Sequence, residues 1–130
     1  MNVPADYKYT ASDEWVKLDG KIATIGVSDY AQEQLSDVVF VEVVLGEGDS
    51  AKKGTTCATI ESVKAAADVN LPVSGKVIQV NEDLSKTPEL VNTDPYGKAW
   101  MLKVEISDPS EINGLMSSAD YEKFLQDRSH

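Results

Sequence analysis

The sequence predicts a small, mainly β fold on three observations. Its apolar residues come in short runs of strand length, those runs are broken by Gly, Asp, Asn and Pro, and several are rich in β-branched residues. At 130 residues the chain has the size of one domain with one core. It contains no linker, repeat or low-complexity tract, so 1–130 is read as a single domain.

Each element follows from a local pattern. Residues 14–18 and 21–26 flank Asp19-Gly20, a hairpin in which Asp-Gly supplies the positive backbone angles of a tight turn. Ser28 is the N-cap of a short helix over 28–35. The β-branched run 38–44 is a buried strand, 56–62 and 66–71 form an antiparallel pair, and 75–80 and 99–106 add two strands. Gly75, after Pro72-Val73-Ser74, closes a turn in which a positive φ would explain the glycine. Ser117 or Ser118 caps a final helix through Gln126, with Tyr121, Phe124 and Leu125 at helical spacing. Trp15 and Trp100 are read as core or edge aromatics, and Cys57 as a small buried hydrophobe.

Charge and composition remove several functions. Twelve Lys plus Arg against 22 Asp plus Glu give a net charge of −10, which argues against a nucleic-acid ligand held through its phosphates. No run of about 18 apolar residues exists and the N-terminus MNVPADYKYT lacks a targeting pattern, so a cytoplasmic protein without a membrane partner is expected. One cysteine and one histidine, the terminal His130, exclude a disulfide framework, the common zinc patterns and a histidine-dependent triad. No metal site is expected. A thiol enzyme built on Cys57 would lack a base to activate it. Any chemistry would come from an attached group.

One segment suggests such a group. Between the strands 56–62 and 66–71, Glu61-Ser62-Val63-Lys64-Ala65-Ala66 presents a single lysine at a hairpin tip among small residues. An exposed, unobstructed ε-amine is what a lipoyl- or biotinyl-attaching ligase acylates. The modified lysine would be an arm reaching on the order of 10–15 Å, with its tip carrying the chemistry and the protein presenting it. An unmodified β domain acting as an interaction module is the alternative from another class.

Beyond the lysine, five stretches in order carry a resemblance: Glu14-Trp15-Val16 after Tyr9-Thr10, IGVSDYAQEQLSDVVFVE (25–42), ESVKAAADVNLPVSGKVIQVNEDL (61–84), PELVNTDPYGKAWM (88–101) and LMSSADYEKFL (115–125). Together they resemble the glycine cleavage system H proteins, lipoyl carriers that shuttle an aminomethyl group, over nearly all of the chain. The resemblance implies a lipoyl-domain-like flattened β-barrel or sandwich of two antiparallel sheets, extended by an N-terminal hairpin and helices. It implies that lipoate is attached covalently to Lys64, because Ser-Val-Lys-Ala is similar to H proteins and not to the Met-Lys-Met of biotin carriers. It further implies that Ser12, Glu14 and Asp68 line the resting place of the loaded arm.

The implied role is that of a shared substrate and not a catalyst, in glycine catabolism and one-carbon metabolism. Its partners would be a pyridoxal-phosphate glycine decarboxylase, a folate-dependent aminomethyltransferase, dihydrolipoamide dehydrogenase and lipoate-attaching enzymes, visited by a monomer. The alternative within the same chemistry is a lipoyl donor for 2-oxoacid dehydrogenase complexes. Three positions depart from the family pattern: Asp13 stands where a histidine is usual, Val44 where a proline is common, and Ala99 where a glycine usually precedes the tryptophan. Losing that imidazole leaves proton transfer to the partner enzymes.

Overall fold

The first expected hairpin forms as β2 (Glu14–Asp19) and β3 (Ile22–Val27), after a two-residue β1 (Lys8–Tyr9), in a computed structural model that describes residues 1–128. Asp19 is the last paired residue of β2, opposite Ile22, so Gly20 and Lys21 are the turn's central residues. Only Gly20 takes a positive φ, +60°. Glycine at the first central position gives the primed turn whose twist matches the strands, and the expected left-handed role for Asp19 falls away.

After α1 (Asp29–Leu35) come β4 (Val38–Val43), the two-residue β5 (Ser50–Ala51), β6 (Thr56–Ser62), β7 (Ala66–Asn70) and β8 (Gly75–Val80). Two helical turns, α2 (Asp83–Lys86) and α3 (Leu90–Thr93), precede β9 (Leu102–Ile106), a 3-10 turn over Pro109–Gly114 and α4 (Ser118–Arg128). The strands make two open antiparallel sheets, one of six strands in the order β1-β2-β3-β9-β8-β5 and one of three in the order β4-β6-β7. Val16, Ile25, Val77 and Val104 of the first sheet share one buried core with Val41, Ile60 and Val69 of the second, as expected of two half-buried sheets that close on each other. Among the described residues no helix is long and apolar enough to cross a membrane.

A smaller aromatic cluster docks α4. Tyr9, Trp15 and Tyr121 are fully or almost fully buried, and the Tyr9 and Tyr121 rings stack with centroids 4.6 Å apart. Trp15 donates its indole N–H to the Pro95 carbonyl at 2.9 Å, giving a large apolar side chain its polar partner. Trp100 is half-buried, with the Lys103 ammonium 5.3 Å from its ring centre.

Beyond one-residue shifts at the ends of several elements, three sequence expectations are corrected. The last strand starts at Leu102 and not at 99, because the Ala99 and Trp100 amides close turns onto the Asp94 and Gly97 carbonyls. Of the two candidate caps it is Ser117 that acts, accepting from the Asp120 amide at 3.2 Å, and α4 runs on to Arg128. Gly75 has no positive φ. It is the buried first residue of β8, paired with Ile106, and a Cβ there would stand 2.2 Å from the Glu105 carbonyl oxygen. Close backbone approach, not turn conformation, requires the glycine.

Candidate functional site

Lys64 sits where the β6–β7 hairpin turns. Glu61 and Ala66 are the last strand pair, and beyond them Ser62 donates its amide to the Ala65 carbonyl at 2.8 Å. The Ser62 hydroxyl then accepts from the amides of Lys64 at 3.3 Å and Ala65 at 3.1 Å, a side-chain turn that replaces the backbone partners missing at a hairpin tip. Val63 donates its amide to the Asp37 carbonyl at 3.0 Å, tying the turn to the chain entering β4. Lys64, Ala65 and Ala66 are exposed, Val63 is 67% exposed, and among the described residues the Lys64 ammonium has no ion-pair partner. An unpaired amine beside methyl-sized neighbours fits acylation by an attaching enzyme.

Ser12, Glu14 and Asp68 line one cleft of about 340 Å³. Ala67, Asp68 and Val69 all border it, although alternate strand residues point to opposite faces, so the cleft runs along the free edge of β7. Lys64 and Asp68 lie four positions apart, a stretch of chain that spans at most about 13 Å at ~3.3 Å per residue and so stays within the reach of a lipoyl-lysine arm.

The three residues are not equivalent. Glu14 is 1% exposed: one carboxylate oxygen accepts from the hydroxyls of Thr10 at 2.5 Å and Ser12 at 2.6 Å, and the other from the Asn70 amide at 3.0 Å. It joins the start of β2 to the end of β7, a role in which its charge is spent on fixed donors. Ser12 is exposed and already donates to Glu14. Asp68 is exposed, and among the described residues its carboxylate has no hydrogen-bond or ion-pair partner. It is the cleft acid with free acceptor capacity.

Asp13 and Arg128 close the same cleft. Asp13 holds a positive φ of +75° and accepts from both guanidinium nitrogens of Arg128 and from the Tyr121 hydroxyl at 2.8 Å. Arg128 also lies over the Tyr30 ring, 4.5 Å from its centre. Burial raises the Tyr121 hydroxyl far above its ordinary value, so it stays protonated beside the carboxylate. The position where histidine is usual thus carries a side chain committed to anchoring α4.

Cys57 is fully buried on β6, and burial, with the Glu14 carboxylate adding to it, pushes its thiol up to about 12. It carries no thiolate at neutral pH and is no nucleophile. A groove of about 680 Å³ between β4 and α2 is lined by Phe40, Val43 and Leu84 and holds none of the residues singled out in the sequence. The sequence alone assigned no individual role to Thr10, Ser62, Asn70 or Arg128. Only Ser62, two places before a turn lysine, left a readable signal.

Residues 7–128 match the model of the family described as glycine cleavage H-protein. The chain belongs to that family. Among its relatives, the glycine cleavage system H protein of Carboxydothermus hydrogenoformans is 52% identical over 125 residues, covering 96% of this chain and 95% of the relative. The mitochondrial glycine cleavage system H protein 2 of Arabidopsis thaliana is 50% identical, covering 94% of this chain and 78% of the relative. The crystal structure of the H protein from Mycobacterium marinum superposes with a TM-score of 0.84 at 28% identity, over 98% of this chain and 100% of that one. Family membership agrees with the two antiparallel, lipoyl-domain-like sheets.

Proposed function

We propose that this protein is the lipoyl carrier of the glycine cleavage system, with lipoate joined by an amide bond to Nζ of Lys64. The observation that carries the reading is the turn itself: an exposed lysine without an ion-pair partner among the described residues, with its backbone held by the Ser62 hydroxyl and with Ala65 and Ala66 following it. Bound there, lipoate supplies a disulfide that takes up reducing equivalents and a one-carbon amine cargo. Ser62 and Val63 fix the root of the arm, and the cleft along β7 offers Asp68 to a cationic tip.

On this reading the chain is one carrier domain and a shared substrate in the cytoplasm, and the reacting groups of its partners stay in the partners. Those partners are the glycine decarboxylase, the aminomethyltransferase, dihydrolipoamide dehydrogenase and the enzymes that attach lipoate. A net charge of −10 suits brief, charge-steered encounters with each in turn. The names of the relatives favour this role over lipoyl donation to other complexes.

The test is the mass of the protein from cells supplied with lipoate. One lipoyl group should be present, located on the peptide containing Lys64, and Lys64→Arg should fold normally, carry no lipoyl group and support no glycine decarboxylation. Full lipoylation of Lys64→Arg at another lysine would overturn the assignment.

A further inference from the structure

We propose that Asn92, on α3, is a positioning residue that sets the Lys64 turn through the connection between α1 and β4. The inference rests on Lys64 as the attachment lysine. The Asn92 side chain accepts from the Val38 amide at 2.8 Å and donates to the Ser36 carbonyl at 2.7 Å. These are the backbone groups on either side of Asp37, and the Asp37 carbonyl receives the Val63 amide, one residue before Lys64. One side chain thus clamps both flanks of the residue that holds the turn.

Two features show why that segment requires a clamp. Ser36 sits at φ 64° and ψ −148°, a conformation that residues other than glycine hold only when neighbours enforce it. The β4–β6 register also shifts at Val39, between the pairs Val38–Ser62 and Phe40–Glu61. A bulge can migrate along a strand unless one of its flanks is fixed, and Asn92 fixes the Val38 amide. The side chain must be an amide: the Val38 N–H demands an acceptor, and the Ser36 carbonyl and the Gln32 Oε1 at 3.1 Å demand a donor. A carboxylate would face two oxygens.

The experiment uses full-length Asn92→Ala, Asn92→Asp, Ser36→Gly and the double variant Asn92→Ala with Ser36→Gly. Each is assayed for melting, for hydrogen exchange at the Val63 amide, and for steady-state modification by a lipoate–protein ligase with lipoate and Mg-ATP, well below its melting temperature. Both Asn92 variants should exchange the Val63 amide about tenfold faster than wild type while the Ile60 amide changes little. Their ligase KM should rise about 3- to 10-fold with kcat within about twofold, because the enzyme must order a loosened turn on docking. Ser36→Gly should return the melting temperature of Asn92→Ala towards wild type while KM and Val63 exchange stay altered. Unchanged Val63 exchange and KM in Asn92→Ala, or recovery of both together with stability in the double variant, would overturn the proposal. Ligase modification of Lys64→Arg would sink the attachment reading instead, and Val63 exchange would still decide the role of Asn92.

Discussion

Arg128 and Asp13, separated by 115 positions, meet as a two-pronged ion pair, Nη1 to Oδ1 at 2.6 Å and Nη2 to Oδ2 at 3.1 Å. The pair fastens the last turn of α4 to the residue just before β2. Both side chains retain some solvent contact, 31% for Arg128 and 13% for Asp13, so its worth is that of a screened pair with good geometry, about 0.5–1 kcal/mol. In urea melts, Arg128→Gln and Asp13→Asn should each destabilise by about that amount, with a double-mutant coupling that shrinks at high salt. Additive single effects would mean that the ion pair adds nothing to the aromatic packing that docks α4.

Gly75 supplies a second prediction. Since a Cβ would stand 2.2 Å from the Glu105 carbonyl oxygen, Gly75→Ala must push β8 away from β9 or rotate the peptide. Overpacking of this kind costs about 1–3 kcal/mol, read as a lower denaturation midpoint. A variant that melts like wild type would show that the strand pair adapts freely.

The contrast between Gly75 and Gly20 illustrates what the sequence discloses. Local rules placed Gly20, the Ser28 cap and the ranges of β6 and β8, because turn chemistry, capping and β-branching act over a few residues. They misjudged Gly75, whose constraint comes from Glu105 on another strand, and left β1, β5, α2 and α3 unseen, because elements of two to four residues carry no period of their own. The same limit governs the site. Lys64 announced itself through adjacent small residues, whereas the donors to Glu14, from Thr10, Ser12 and Asn70, include a partner 56 positions away. Resemblance to a family brought Glu14 and Asp68 to one cleft, but only packing separates the spent acid from the free one.

Ser36 predicts a stabilising change. At φ 64° and ψ −148° its Cβ is under strain that glycine would not feel, so Ser36→Gly should raise stability by about 1 kcal/mol after the added flexibility of the unfolded glycine is deducted. A fall in melting temperature would mean that its surroundings fully offset the strain.

Alkaline pH should weaken the fold. Burial pushes Cys57 from 9.0 up to about 12 and Tyr96 from 10.0 up to about 12, and it raises Tyr9 and Tyr121 further. Above about pH 9 the unfolded chain releases protons that the native state keeps, so unfolding becomes easier as pH rises, first through the thiol and then through the phenols. For Cys57 the loss is at most about 1.4 kcal/mol per pH unit across its window. Cys57→Ala, although less stable at neutral pH, should show a shallower decline between about pH 9 and 10. Parallel declines would mean that the thiol ionises in the native protein as easily as in the unfolded one.

The final prediction separates the two cleft acids. Glu14→Gln should cost about 1–3 kcal/mol, because a neutral amide gives up the charge-assisted bonds from Thr10 and Ser12, and keeping its oxygen on the Asn70 amide turns its NH₂ group towards those two hydroxyls. Asp68→Asn should leave stability within about 0.5 kcal/mol, since an exposed side chain with no partner among the described residues gives up little when its charge is removed. Function should respond in the opposite order. A protonated amine cargo in the cleft would be drawn to Asp68, whose oxygens are uncommitted, and a partly exposed contact of this kind is worth about 0.2–1 kcal/mol. Asp68→Asn should therefore accept lipoate normally and then lose ammonia from the loaded carrier about 1.5- to 5-fold faster than wild type, a difference that high salt erases. Glu14→Gln, assayed at a temperature where it is folded, should lose ammonia at nearly the wild-type rate. Equal loss from Asp68→Asn and wild type at low salt would make Asp68 a surface charge, and shelter of the cargo would then rest on exclusion of water by the cleft walls.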